Sequence, residues 1–205
     1  MSRPVPFCYP AQPHTRKHGP RGYKNWEEYR PWLRDDFDFH CVFCLRRETW
    51  DERRAVFAVE HLTARKHAPE RALDYTNLVY ACASCNSAKS TKTAPDPCAH
   101  AYGQLVEVRP DGTIHAQNAE GRLLIRAANL DDAETNRWRH LLIGTLRSHA
   151  KHAPELYRAM LSFPSDLPDL TSRTPPGGNT KPGSEKTCRY QQRLTGTLPK
   201  LLAPL

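Results

Sequence analysis

Apolar and polar positions along the chain fall into blocks of different period. Trp26, Tyr29 and Leu33 stand at helical spacing within residues 25–35, and Pro31 interrupts them. That pattern predicts two short helical turns rather than one helix, with the aromatics packed on the core. Phe57-Ala58-Val59 and Leu78-Val79-Tyr80 read as short strands, and a helix containing Lys89 is expected to start near Asn86. Residues 104–126 predict a three-stranded meander that turns at Pro110-Asp111-Gly112 and again at Ala119-Glu120-Gly121, where glycine supplies positive φ. Residues 131–149 predict a helix capped by Asn129 or Asp131. Asp131, Asp132 and Glu134 lie at its positive end, and Trp138, Leu141, Leu142 and Leu146 lie on one face. A shorter helix is expected from Pro154, carrying Leu156, Tyr157, Met160 and Leu161.

The two ends lack such periods. Residues 1–24 contain five prolines and read as a basic irregular arm, and residues 163–205, with seven prolines and four glycines, read as a disordered Pro/Gly-rich tail. Residues 25–100 then form the cysteine-bearing core, and residues 101–162 add the meander and helices. Charge follows the same division. The chain carries a formal +8; the first 24 residues hold five basic and no acidic side chains, and residues 163–205 hold six basic and three acidic. Residues 25–162 carry 19 of each sign, so the body is neutral. Basic ends suit flexible arms drawn to an anionic polymer, or serve only solubility. No apolar run approaches the ~18 residues of a membrane span. The N-terminus lacks a secretory apolar region, so a cytoplasmic protein is expected.

Seven cysteines occur, four of them in two C-x-x-C pairs, Cys41/Cys44 and Cys82/Cys85. The odd total argues against a secreted disulfide framework. Two residues between ligands let both sulfurs bend toward one ion, so the two knuckles point to a structural zinc site of four thiolates. A redox dithiol is the rival for either pair alone, but no thioredoxin-like pattern surrounds them. Cys8, Cys98 and Cys188 have no partner at ligand spacing. The 37 residues between the knuckles exceed a compact zinc ribbon and leave room for a functional insert. A centre of one Zn²⁺ and four thiolates carries a formal charge of about −2, which Lys89 and Lys92 would balance.

Within the insert, Glu60-His61 ends the first strand, Asn77 precedes the second, and Asn86 follows Cys85. Taken singly, His61 reads as an ordinary histidine, Asn77 as a turn residue and Asn86 as a helix cap. Their order between two zinc knuckles, with Lys89 three residues after Asn86, changes that weighting. Over residues 41–92 the chain resembles the HNH endonucleases, specifically the branch with a four-cysteine zinc site. It departs from the usual pattern in having Glu60-His61 where Asp-His is more common, Asn86 in place of a histidine, and Ala64 where proline is frequent.

The resemblance implies an α+β protein with a ββα-metal, treble-clef-like core stapled by the four-cysteine zinc site. It implies DNA as the partner and phosphodiester hydrolysis as the reaction. His61 would be the general base, Glu60 and Asn86 the oxygen ligands of a catalytic Mg²⁺ or Mn²⁺, and Asn77 the residue that holds the loop. Lys89, Arg65 and Lys66 would contact the nucleic-acid backbone, with Arg46, Arg47, Arg53 and Arg54 on a solvated face nearby. His40 and His67 are left without a role. A competing reading keeps only the cysteines: a catalytically silent zinc module that binds nucleic acid or protein and needs neither His61 nor Asn86. Another keeps the nuclease but has a partner protein, such as an ATPase, license it, as in a bacterial defence or mobile-element system. The sequence sets no oligomeric state.

Overall fold

The computed structural model describes residues 6–50 and 57–201. A 3₁₀ turn, Trp26–Tyr29, leads into helix α1 (Arg30–Asp36). Asn25 and Glu28 close a reciprocal capping box at the start of the turn, and Pro31 sits in the first turn of α1, where its missing N–H costs no bond. Trp32 and Leu33 of this helix are fully buried.

Strand β1 (Phe57–His61) pairs antiparallel with β2 (Leu78–Cys82), in the register Phe57↔Cys82, Val59↔Tyr80 and His61↔Leu78. All five residues of β2 are buried, because α1 packs against it as does helix α2 (Ala83–Lys89), which follows without a loop. This register puts the second cysteine knuckle at one end of the strand pair and Glu60-His61 at the other.

Beyond α2, strands β3 (Val106–Val108) and β4 (Ile114–Ala116) form a hairpin whose turn is closed by Gly112 at φ +85°. The expected third strand of the meander is instead helix α3 (Ala119–Ala128). Asn118 caps it by accepting from the Gly121 N–H, and Leu124, Ile125, Ala127 and Ala128 form its buried side. Gly121 serves close approach rather than a turn: a Cβ there would lie 2.0 Å from the Leu105 carbonyl oxygen.

Helix α4 (Ala133–His152) is capped by Asp132, one residue later than expected. Its buried side is Arg139, Ile143 and Leu146, whereas Leu141 is 57% exposed. The helix is rotated by the buried Arg139 guanidinium, which donates to the carbonyls of Gly112 (2.7 Å) and Leu130 (2.6 Å) and so ties the hairpin turn to α4. Helix α5 (Pro154–Leu161) follows after a break at Ala153.

The ends correct the expectation of free arms. Phe7, Tyr9 and His18 of the N-terminal segment are buried, and Arg16 and Lys17 turn inward toward Asp36 and Asp38. The described part of the C-terminal segment is folded onto the body: Phe163 packs edge-on against Phe39, Leu167, Leu170 and Cys188 are buried, and helix α6 (Arg189–Leu194) follows. The two ends also pair backbone to backbone, Arg21 N–H to Gly178 carbonyl (2.9 Å) and Thr180 N–H to Gly19 carbonyl (2.8 Å). A few anchors and a ladder of polar bonds thus replace the apolar periodicity that the tail lacks. One hydrophobic cluster takes in residues from Phe7 to Cys188.

Candidate active site

Cys41 and Cys44 sit in a tight knuckle, where the Leu45 N–H returns to the Cys41 carbonyl at 2.9 Å and Leu45 takes φ +61°. Cys82 ends β2, and Cys85 lies in the first turn of α2. All four sulfurs are buried and lie within 4.8 Å of one another, Cys44 and Cys82 at 3.6 Å. A tetrahedral ion with Zn–S bonds of about 2.3 Å would space its sulfurs by about 3.8 Å, so the cluster fits zinc in number, chemistry and spacing. Without an ion the four thiols are electrostatically linked: hydrogen bonds from the other three lower the Cys82 pKa, while burial and neighbouring sulfurs raise that of Cys41, and neighbouring sulfurs and burial raise that of Cys85. Cys8, Cys98 and Cys188 are outside this group.

At the opposite end of the strand pair an open cleft of about 510 Å³ is lined by Glu60, His61, Arg65, Lys66, Asn86 and Ser90, among others. His61 is 6% exposed. Its Nε2 lies 3.0 Å from the Ala72 carbonyl oxygen. A carbonyl only accepts, so Nε2 carries the proton and Nδ1 keeps the lone pair. Burial lowers the His61 pKa, the charges of Arg65 and Lys89 add to that effect, and the Ala72 hydrogen bond and Glu27 oppose it. The ring is therefore neutral at pH 7. The Trp26 indole meets it edge-on, centroids 5.7 Å apart.

Asn77 is wholly buried behind the cleft. Its Oδ1 accepts from the Thr63 N–H (2.9 Å), and its Nδ2 donates to the carbonyls of Thr63 (3.1 Å) and Arg71 (3.3 Å). It closes the loop whose Ala72 carbonyl holds His61, and it takes no part in lining the cleft.

Lys89 departs most from expectation. It is 0% exposed and donates to Glu60 Oε1 at 2.8 Å and to the His61 carbonyl at 2.6 Å. A buried ammonium with these partners does not reach a phosphate. Lys89 stands four residues after Cys85, so both face inward on α2, while Asn86 stays half-buried at the cleft. Nor does Lys89 serve mainly to offset the sulfur cluster; its partner is Glu60. Lys92 bonds to the carbonyls of Ala88 and Arg126. Burial raises the Glu60 pKa above the ordinary carboxylate value, against the opposing pull of Lys89.

Arg65 and Lys66 are exposed at the rim, the Arg65 guanidinium lying 4.0 Å over the Trp26 ring. Arg46 stacks on Trp138 and Arg47 is buried beside Trp50, so neither forms the expected solvated face. Arg53 and Arg54 lie outside the described residues. His40 is buried next to Asp38, and burial pushes its pKa down to about 4; His67 is exposed on the loop. Trp26, which packs on the core as expected, and the Ala72 carbonyl also belong to the site, and neither has a local sequence signal for that.

An antiparallel strand pair running into a helix, stapled by four cysteines at one end and open at a Glu-His-Asn cleft at the other, is a ββα zinc-knuckle unit within an α+β protein. Residues 41–92 match the family model of the HNH endonucleases, and this segment is an HNH domain. No curated protein matches the chain. No helix among the described residues is long and apolar enough to cross a membrane.

Proposed function

We propose that the chain is a metal-dependent endonuclease that hydrolyses DNA phosphodiester bonds with His61 as general base. The observation that carries this reading is the fixed tautomer of His61. Its Nε2–H is committed to the Ala72 carbonyl, which leaves Nδ1 unprotonated on a ring that lines the same cleft as Glu60 and Asn86.

Lys89 takes Glu60 Oε1, so one Glu60 oxygen and the Asn86 amide oxygen remain to hold a divalent ion. An all-oxygen pair suits hard Mg²⁺ or Mn²⁺. When bound, such an ion neutralises charge on the phosphate and on the departing 3′ oxygen. His61 Nδ1 accepts a proton from the water whose oxygen forms the new bond to phosphorus; the P–O3′ bond breaks and the departing 3′ oxygen takes a proton from solvent, leaving 5′-phosphate and 3′-hydroxyl ends. Arg65 and Lys66 meet neighbouring phosphates, with affinity that falls as salt rises. Asn77 keeps the loop closed beneath the base.

Purified protein with Mg²⁺ or Mn²⁺ is expected to cut plasmid. His61→Ala should keep its zinc and its melting transition and lose about 10²–10⁴ in rate, the contribution of a positioned base. Equal cutting by that variant removes His61 from the mechanism. Binding without cleavage under every divalent ion returns the protein to a silent zinc module.

A further inference from the structure

We infer that Trp26 is a positioning residue that fixes the proposed base and the proposed phosphate-binding arginine against one another. The inference rests on the nuclease reading and names a residue that reading does not contain. The indole touches both groups: it meets the His61 imidazole edge-on at 5.7 Å with the rings 70° apart, and its face carries the Arg65 guanidinium at 4.0 Å. Arg65 and His61 both line the cleft, so one half-buried ring spans the interval between them.

Trp26 is itself held. Its 3₁₀ turn starts at the Asn25/Glu28 capping box, where Asn25 Oδ1 accepts from the Glu27 N–H at 3.0 Å and Glu28 accepts from the Asn25 N–H at 3.2 Å. The turn ends at buried Tyr29, whose hydroxyl donates to the Leu73 carbonyl at 3.1 Å. Leu73 follows Ala72, whose carbonyl binds His61 Nε2. The turn, the loop and the base are thus locked together, and the imidazole is fixed by a hydrogen bond at one nitrogen and an aromatic wall at its side. Arg65 is exposed and on a loop; the aromatic face beneath it limits where its donors can point. Trp26 also packs against the hydrophobic core, and the two cleft contacts are made by the part of the ring that the core leaves uncovered.

The test separates the two contacts by steady-state cleavage of a duplex oligonucleotide. Trp26→Ala should lower kcat about ten- to a hundred-fold, as expected for a displaced reacting group, and should raise KM. Arg65→Ala should raise KM and reduce the slope of log affinity against log salt by about one phosphate contact. Adding Trp26→Ala to Arg65→Ala should raise KM no further while kcat still falls. Trp26→Phe, which keeps a ring, should recover most of kcat. Trp26→Leu, which keeps volume without a π face, should raise KM as Arg65→Ala does. If Trp26→Ala unfolds, as judged by zinc content and melting, the Phe and Leu variants carry the comparison. Wild-type kcat and KM in Trp26→Leu, or a KM effect that adds fully to that of Arg65→Ala, overturns the proposal. If the wild type fails to cut under every divalent ion, the nuclease reading falls on its own. Duplex affinity of Trp26→Leu against wild type then still reads the Arg65 half, and an unchanged salt slope sinks it.

Discussion

The HNH segment and the chain ends wrapped around it bury charge in opposite ways. Around α1, Asp35 and Asp36 have a partner on each carboxylate oxygen, and Asp38 has two cations on one. Asp36 takes the Lys17 N–H (2.5 Å) and the Tyr75 hydroxyl (3.0 Å), with Arg16 at 3.6 Å. Asp35 takes His18 Nε2 (2.9 Å) and the Arg189 N–H (2.7 Å), and His18 Nδ1 reaches the Ser184 hydroxyl at 2.9 Å. Asp38 is shared by Lys17 and Arg189. Every partner comes from one end of the chain or from the core, so this network works as a clasp. At the cleft the set is left open: Lys89 occupies one oxygen of Glu60, His61 keeps a bare Nδ1, and Asn86 is half-buried. The same buried-polar rule that makes the clasp rigid makes the cleft receptive, because groups without complete protein partners are where a ligand gains free energy.

The comparison breaks most completely at the sulfurs. Cys41→Ala, or removal of zinc by a chelator, is expected to abolish cooperative melting of the whole chain. Structural zinc contributes on the order of 10 kcal/mol of metal-linked folding free energy, comparable with a domain's entire margin of about 5–15 kcal/mol. The sulfur cluster joins the first knuckle to the start of α2. Thermal melts beside a zinc assay decide it. A chain that melts unchanged without zinc would move the source of stability from the knuckles to the clasp.

Asp36→Asn should break the other region alone. Losing one member of a buried ion network costs about 3 kcal/mol, read as a lower urea midpoint, while zinc content stays at the wild-type value. The pH dependence has a defined sign. Burial would raise the Asp36 pKa, but His14, Arg16 and the Lys17 N–H outweigh it and hold the carboxyl below its ordinary value of 3.8. A depressed folded pKa means that the unfolded chain binds the proton more readily. The stabilisation is therefore complete above the unfolded value and is lost as pH falls through the folded one. Wild type should lose stability on acidification below about pH 4, and Asp36→Asn should show a shallower acid limb.

What is legible in the sequence follows the same division. The C-x-x-C spacing, the Glu60-His61 strand end and the Asn77 and Asn86 positions lie within short stretches, where local geometry sets what a residue can do. The two strands and α2 rest on the same local signals. Lys89 is misplaced by spacing because its distance from Asn86 says which residues share a face, whereas packing against β1 decides which face is inside. α3 is misread because Leu123-Leu124-Ile125 is too short a run to distinguish strand from helix, and the Asn118 cap settles it. The clasp is invisible for a different reason. His18 with Ser184, and Asp35 with Arg189, are separated by more than 150 residues, and polar partners that distant leave no period in the chain.

Backbone strain is present in both regions. Where the ends meet, positive φ falls on Gly22, Gly178 and Gly183, and beside them on Asp38 (φ 46°) and Phe39 (φ 58°). At the cleft edge it falls on Ser90, φ 47° and ψ −115°, a conformation in which a Cβ is crowded. Ser90 closes α2 directly after Lys89: its N–H returns to the Asn86 carbonyl at 3.0 Å, and the Lys92 N–H returns to the Lys89 carbonyl at 2.8 Å. These bonds belong to the backbone and survive substitution. Strain of this kind costs about 1–3 kcal/mol, and glycine's extra unfolded-state entropy takes back about 0.5–1 kcal/mol. Ser90→Gly should therefore raise stability by about 1 kcal/mol in urea melts, whereas Ser90→Ala, which keeps the Cβ, should give no gain. If Ala and Gly stabilise alike, the hydroxyl rather than the backbone is the source of the penalty. If neither does, the turn holds the cleft edge without tension, and the difference between the open site and the closed clasp lies in hydrogen-bond partners alone.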